Sequence, residues 1–137
     1  MTFVAAAFAL AGGWVHLREW LDGYRDVPAS APGSAVVRLG FPVSAALAVL
    51  LTLALLASLR ASRRLRWSVL GAAAVFEVAS LVAVVLTRQG TLFGWTEPQW
   101  TLGAEQTALA AAGSLVGLVA TAAIVALRPR RTVAATA

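Results

Sequence analysis

The chain has 137 residues, 60% of them hydrophobic and only 12% charged, with a mean hydropathy of +0.81 and a formal net charge of +5. A water-soluble domain is about 45–50% apolar and about 25% charged, so this composition excludes a soluble enzyme, a disordered tail and a nucleic-acid-binding module, and points to a membrane. All 11 basic residues are Arg, and they sit between apolar runs, where membrane topology explains them better than nucleic acid does.

Four segments reach the ~20 mostly apolar residues that a spanning helix needs. The expectation is an all-α, integral membrane four-helix bundle forming one domain. The first helix is predicted over residues 3–21, with a polar outer third. No basic stretch precedes Phe3 and the apolar run continues to Leu17, so this helix reads as retained rather than cleaved as a signal peptide. His16 shares a helix face with Glu19 at i+3 and Trp20 at i+4, while Arg18 and Asp22 form an i,i+4 pair. His16 with Glu19 reads either as a polar site opening outward or as an ordinary pairing at a helix end. Ala5, Ala9 and Gly13 make a stripe of small residues that allows close helix approach.

The first loop is predicted from Asp22 to Gly40, extended and turn-rich because it holds Pro28, Pro32 and Gly33. Helix 2 is predicted over residues 41–59. A short link, Arg60 to Arg66, then makes a hairpin into helix 3, predicted over residues 67–87. Glu77 is the eleventh of those 21 residues, near the bilayer midplane. An ionised carboxylate there costs at least ~2.5–3.5 kcal/mol, and such residues are functional candidates by default. Glu77 reads as a proton, cation or ligand site, or as a neutral acid hydrogen-bonded across the bundle. Ser80, one turn further along, is placed to donate to it.

The third loop, Arg88 to Gly103, contains the aromatic and acidic stretch Gly94 to Trp100. That stretch reads as a docking surface or as interfacial anchoring. Helix 4 is predicted over residues 104–127. It carries Gly113 and Gly117 in a GxxxG spacing, which serves packing within the chain or against a partner.

Arg counting gives an orientation. Arg60, Arg63, Arg64 and Arg66 in the helix 2–3 link, with Arg128, Arg130 and Arg131 in the tail, put seven Arg and no acid on one face. That face is predicted cytoplasmic, with both termini inside a cell membrane crossed by several helices. Trp20, Tyr24, Trp95 and Trp100 then form an outer aromatic belt, and Trp67 marks the inner interface. From Phe3 to His16 is ~20 Å, and from Trp67 to Glu77 is ~15 Å, at ~1.5 Å per residue. If helices 1 and 3 are neighbours, His16 and Glu77 meet and line, with Glu19, a pocket opening to the outer face.

His16 is the only His and Met1 the only Met, so a haem with two axial ligands from this chain has no ligand set. With no Cys, there is no disulfide or thiolate chemistry, and a zinc site has too few ligands. No cofactor or metal is expected. P-loop, Rossmann, HExxH and GxSxG patterns are absent.

The string Ala9-Leu10-Ala11-Gly12-Gly13-Trp14-Val15-His16 resembles the start of small DoxX-like four-helix membrane proteins. The stretch carrying Glu77 and running into Leu86-Thr87-Arg88 and Leu92-Phe93-Gly94-Trp95 is similar to uncharacterised small membrane proteins of GC-rich bacteria. The resemblance implies a four-helix bundle and no established chemistry. The leading expectation is a non-enzymatic accessory or assembly subunit, bound to the lipid bilayer and to a membrane-protein partner or a second copy of itself. The alternatives are a small proton-coupled transporter, or a lipid- or quinone-binding enzyme, using Glu77 and His16.

Overall fold

The structure, a computed structural model, describes residues 1–127. Arg128, Arg130 and Arg131 lie outside the described residues. The elements are α1 (Thr2–Asp22), a short 3-10 turn (Tyr24–Asp26), α2 (Ser34–Ser58), α3 (Arg63–Gln89) and α4 (Leu102–Leu127). The fold is all-α, a bundle of four antiparallel helices. Three of them, α2, α3 and α4, are long and apolar enough to cross a membrane. One end of the bundle carries the α2–α3 turn and is here the hairpin end. The other carries the two longer connections and is the loop end.

α1 lies between α2 and α4. α3 closes the bundle against α4, touches α2 more sparsely, and stands diagonally from α1. Ala5 and Ala6 of α1 pack with Leu55 of α2, Leu70 and Ala73 of α3 and Leu118 of α4 in a core near the hairpin end. Small residues set the close spacing. A Cβ on Gly117 would come 2.8 Å from the Ala5 nitrogen, and one on Gly113 would come 2.6 Å from the Phe8 ring. On the other side of α1, a Cβ on Gly13 would come 2.7 Å from that of Ala48. Ala9 is buried between these contacts. The GxxxG of α4 therefore packs on α1 of its own chain.

Helix boundaries depart from expectation most at α2, which begins at Ser34 rather than at residue 41. Pro42 sits inside it and has no N–H for the Arg38 carbonyl one turn back. Trp20 of α1 supplies the missing donor, its Nε1 reaching the Arg38 oxygen at 2.9 Å. A tertiary hydrogen bond thus supports helix in residues 34–40, which lie in the segment expected as loop from its Pro28, Pro32 and Gly33. α3 begins at Arg63 rather than at residue 67 because the Ser62 hydroxyl accepts from the Leu65 N–H and caps it. Arg66 then donates to the Ser58 and Leu59 carbonyls at the C-terminal end of α2, where a cation is favoured. α4 gains a turn's start from Thr101, whose hydroxyl accepts from the Ala104 N–H.

Candidate functional site

The loop end encloses a cavity of about 360 Å³ with mostly apolar walls. Its walls come from all four helices and from the third loop. Two connections roof it. Leu92 and Trp95 exchange backbone hydrogen bonds of 2.9 and 3.0 Å around a tight turn. The turn's central residues, Phe93 and Gly94, both have positive φ, as a two-residue hairpin turn of this hand requires. The Glu97 N–H then donates to the Thr87 carbonyl and folds the loop back over α3. Gly33 of the first connection, at φ 68°, packs so closely on the Trp95 backbone that no side chain fits there. The two connections are therefore interlocked.

Polar groups gather beneath this roof. The Arg88 side chain, 6% exposed, donates from one terminal nitrogen to the Glu97 carbonyl at 2.7 Å and to its carboxylate at 3.1 Å. The Tyr24 hydroxyl donates to the other Glu97 oxygen at 2.5 Å. Burial, and next the Glu97 carboxylate, push the Tyr24 phenol well above its ordinary value of 10. Tyr24 stacks on Phe41 with centroids 4.6 Å apart, and Phe41 meets His16 edge-on at 5.3 Å. Arg18 holds Glu19 at 2.9 Å and Gln106 at 3.0 Å, and approaches Asp22 at 3.9 Å. Glu19 lies directly against Gly103 of α4.

Three buried polar atoms on the cavity's lining residues have no hydrogen-bond partner among the described residues: His16 Nδ1, Arg88 Nε and Trp95 Nε1. The lining residues also differ in exposure in an informative way. All are buried or half-buried except Leu47 of α2 and Ala79 of α3, which are exposed. Leu47 and Ala79 stand roughly halfway along α2 and α3, two helices that pack sparsely on each other.

The structure brings together His16, Glu19 and Ser80 on this cavity but leaves Glu77 out of it. Glu77 is 4% exposed, and its carboxyl is directed at Ser114 of α4. Its Oε1 has no partner among the described residues. Ser114 in turn donates to the Ala5 carbonyl at 3.3 Å. Ala5 is 11 residues from His16, or ~16 Å along α1. The expected meeting of His16 with Glu77 does not occur, because α1 and α3 are diagonal and Glu77 sits at a lower level. Ser80 does not donate to Glu77 either. Its hydroxyl goes to the Phe76 carbonyl of its own helix at 3.0 Å.

The Arg88–Glu97–Tyr24 group was not anticipated from sequence. Its one signal was Arg88 closing an apolar helix nine residues before an acid, with glycines between that let the chain double back. Among the described residues, no three His, Asp or Glu side chains converge on a point where a metal could sit. Comparison with protein-family models, with curated proteins and with solved structures found no match to this chain.

Proposed function

We propose that this protein is a four-span membrane protein that binds a small lipid-soluble molecule in the loop-end cavity. The carrying observation is that the exposed members of the lining, Leu47 and Ala79, stand roughly halfway along α2 and α3, and on this reading the cavity opens between them. An opening at mid-helix in a bundle of membrane length faces hydrocarbon, so what enters is dissolved in the bilayer. The cavity's volume and its apolar walls with a few polar groups suit a small ligand.

α1 is counted as the fourth span because it keeps depth with its neighbours, from the Thr2–Thr121 contact to the Glu19–Gly103 contact. Arg60, Arg63, Arg64 and Arg66 at the hairpin end, against acids at the loop end, support a cytoplasmic hairpin end and hence cytoplasmic termini in a cell membrane. Reporter fusions after Arg64 and at the C-terminus are expected to read cytoplasmic. An outside reading at either would sink this orientation.

The accessory-subunit reading rested on small size, short loops, the absence of a catalytic pattern and an aromatic outer surface to which the third loop contributes. The Trp95 and Glu97 side chains of that loop line the cavity, which favours a ligand over a partner as their use. Organic extraction of protein purified in mild detergent, followed by mass spectrometry, is expected to return one lipid-soluble compound in fixed ratio to the chain. Ala83→Trp, which fills the cavity from α3, is expected to lose it. A filled variant retaining the compound in the same ratio would remove the cavity from this role.

A further inference from the structure

We propose that the hairpin end holds one anionic phospholipid, with its phosphate among Arg60, Arg63 and Arg64 and an acyl chain in the cleft beside Arg66. This rests on the bundle spanning a bilayer, in either orientation, and not on the cavity at the loop end.

The first step concerns charge. Arg60, Arg63, Arg64 and Arg66 stand within seven consecutive residues around the α2–α3 turn. Of the six acids in the chain, Glu19, Asp22, Asp26, Glu97 and Glu105 belong to the loop end. The sixth, Glu77, is buried ~16 Å from Arg66 along α3. Arg66 is engaged with the Ser58 and Leu59 carbonyls. Arg60, Arg63 and Arg64 are exposed and make no ion pair among the described residues. The first turn of a helix disfavours cations, so Arg63 and Arg64 are not placed to stabilise α3. The chain after Leu127 continues Arg128-Pro129-Arg130-Arg131 and carries no acid, so it offers no side-chain counter-charge. The counter-charge comes from outside the chain, and a cluster of four basic residues beside spanning helices attracts anionic lipid.

The second step concerns what carries that charge. A cleft of about 220 Å³ lies between the start of α1 and the ends of α2 and α4. Arg66 lines it, together with the apolar residues Phe3, Leu59, Ile124 and Val125. Phe3, Leu59 and Ile124 are exposed. The cations adjoin this cleft, because Arg60 follows Leu59 in the chain and Arg63 shares a helix face with Arg66 one turn on. A free phosphate would use the cations alone. A phospholipid uses the cations for its head and the apolar cleft for a chain.

The experiment is native mass spectrometry of the whole protein in mild detergent, titrated with dioleoylphosphatidylglycerol or with dioleoylphosphatidylcholine, which share their chains and differ in net charge. One phosphatidylglycerol is expected to bind where phosphatidylcholine does not. Arg63→Gln and Arg64→Gln are each expected to weaken it about fivefold. Arg25→Gln, an exposed cation at the loop end, is expected to change nothing. Inorganic phosphate is expected not to displace the lipid. Equal binding of the two lipids, or equal loss from Arg25→Gln and Arg63→Gln, would overturn the proposal. Displacement by inorganic phosphate would overturn the lipid as the occupant. Both arginines are exposed and unpaired with any acid among the described residues, so their variants are expected to fold with unchanged thermal stability in lipid-free detergent. The two readings fail separately. Arg63→Gln is expected to keep the compound extracted from the cavity, and Ala83→Trp to keep phosphatidylglycerol. Release of the protein from membranes by alkaline carbonate would overturn the spanning on which both rest.

Discussion

The two sides of this bundle are built from different material. Where α1 meets α2 and α4, the contacts are Ala5, Ala9, Gly13, Gly113 and Gly117, and the helices approach until a single added carbon has no room. Where α2 meets α3 at mid-length, the residues are Leu47, Ala79, Phe41 and Phe76, and a cavity remains. Apolar residues occur on both sides, so hydrophobicity does not separate them. In lipid, helix association comes from van der Waals packing, and small residues in register give the most of it. The α1 seam supplies rigidity, which frees the α2–α3 side to stay loosely packed around the cavity.

The sharpest way to break this contrast is at the seam. Gly117→Leu is expected to cost about 3 kcal/mol, because the side chain would drive into the Ala5 backbone. Gly71→Leu on α3, where an added Cβ meets nothing within 4 Å, is expected to change stability by less than about 0.5 kcal/mol. Thermal unfolding in detergent compares the two, and equal effects would dissolve the distinction between the sides.

Next in size is the roof of the cavity. Arg88→Met leaves Glu97 facing Tyr24 without its cation. Breaking a buried pair costs ~3–5 kcal/mol, and Glu97 is 25% exposed, so about 2 kcal/mol is expected. Hydrogen exchange should show the loss in residues 90–101 and spare the α1 seam.

A milder probe is alkaline titration. Tyr24 is the only Tyr in the chain, so phenolate absorbance reports it alone. Its folded value lies above the unfolded one of 10, so its contribution to stability is full below pH 10 and is lost as pH rises through the folded value. Phenolate should appear well above pH 10 in the folded protein and near 10 once unfolded. Glu97→Gln should bring the folded midpoint part of the way back, because burial remains.

The smallest expected effect joins the two levels. His16→Gln and Glu77→Gln should add within about 0.5 kcal/mol, as residues with no shared partner do. Strong non-additivity in a double-mutant comparison would mean that the cavity and the Glu77–Ser114 level are coupled.

Helix number and class were legible because a run of ~20 apolar residues admits little else in a membrane. Glu77 was legible as a buried acid, but its partner was not. Counting residues from helix starts assumes that the starts are level and the helices adjacent. α3 starts four residues earlier than expected, and α1 is its diagonal. The cavity's polar cluster was illegible for another reason. Arg88, Glu97 and Tyr24 come from three connections and ends, and what gathers them is backbone bonding, such as Glu97 N–H to Thr87, that no periodicity encodes. The helical stretch from Ser34 to Gly40 was likewise hidden, since its support is a Trp20 side chain from another helix.

The interlock of Gly33 with Trp95 has a mechanical consequence for the α2–α3 side. α2 and α3 are tied covalently at one end by the four residues Leu59 to Ser62. At the other end they are tied through the two connections that meet at Gly33 and Trp95. The gap between them is a slot closed at both ends. Such a slot widens by bowing at its centre, where Leu47 and Ala79 stand, and hardly at all toward its ends. Under the proposed binding role, a flat or threadlike molecule would pass edge-on, parallel to the helices, and a globular one of equal volume would be turned away before any polar group has been consulted.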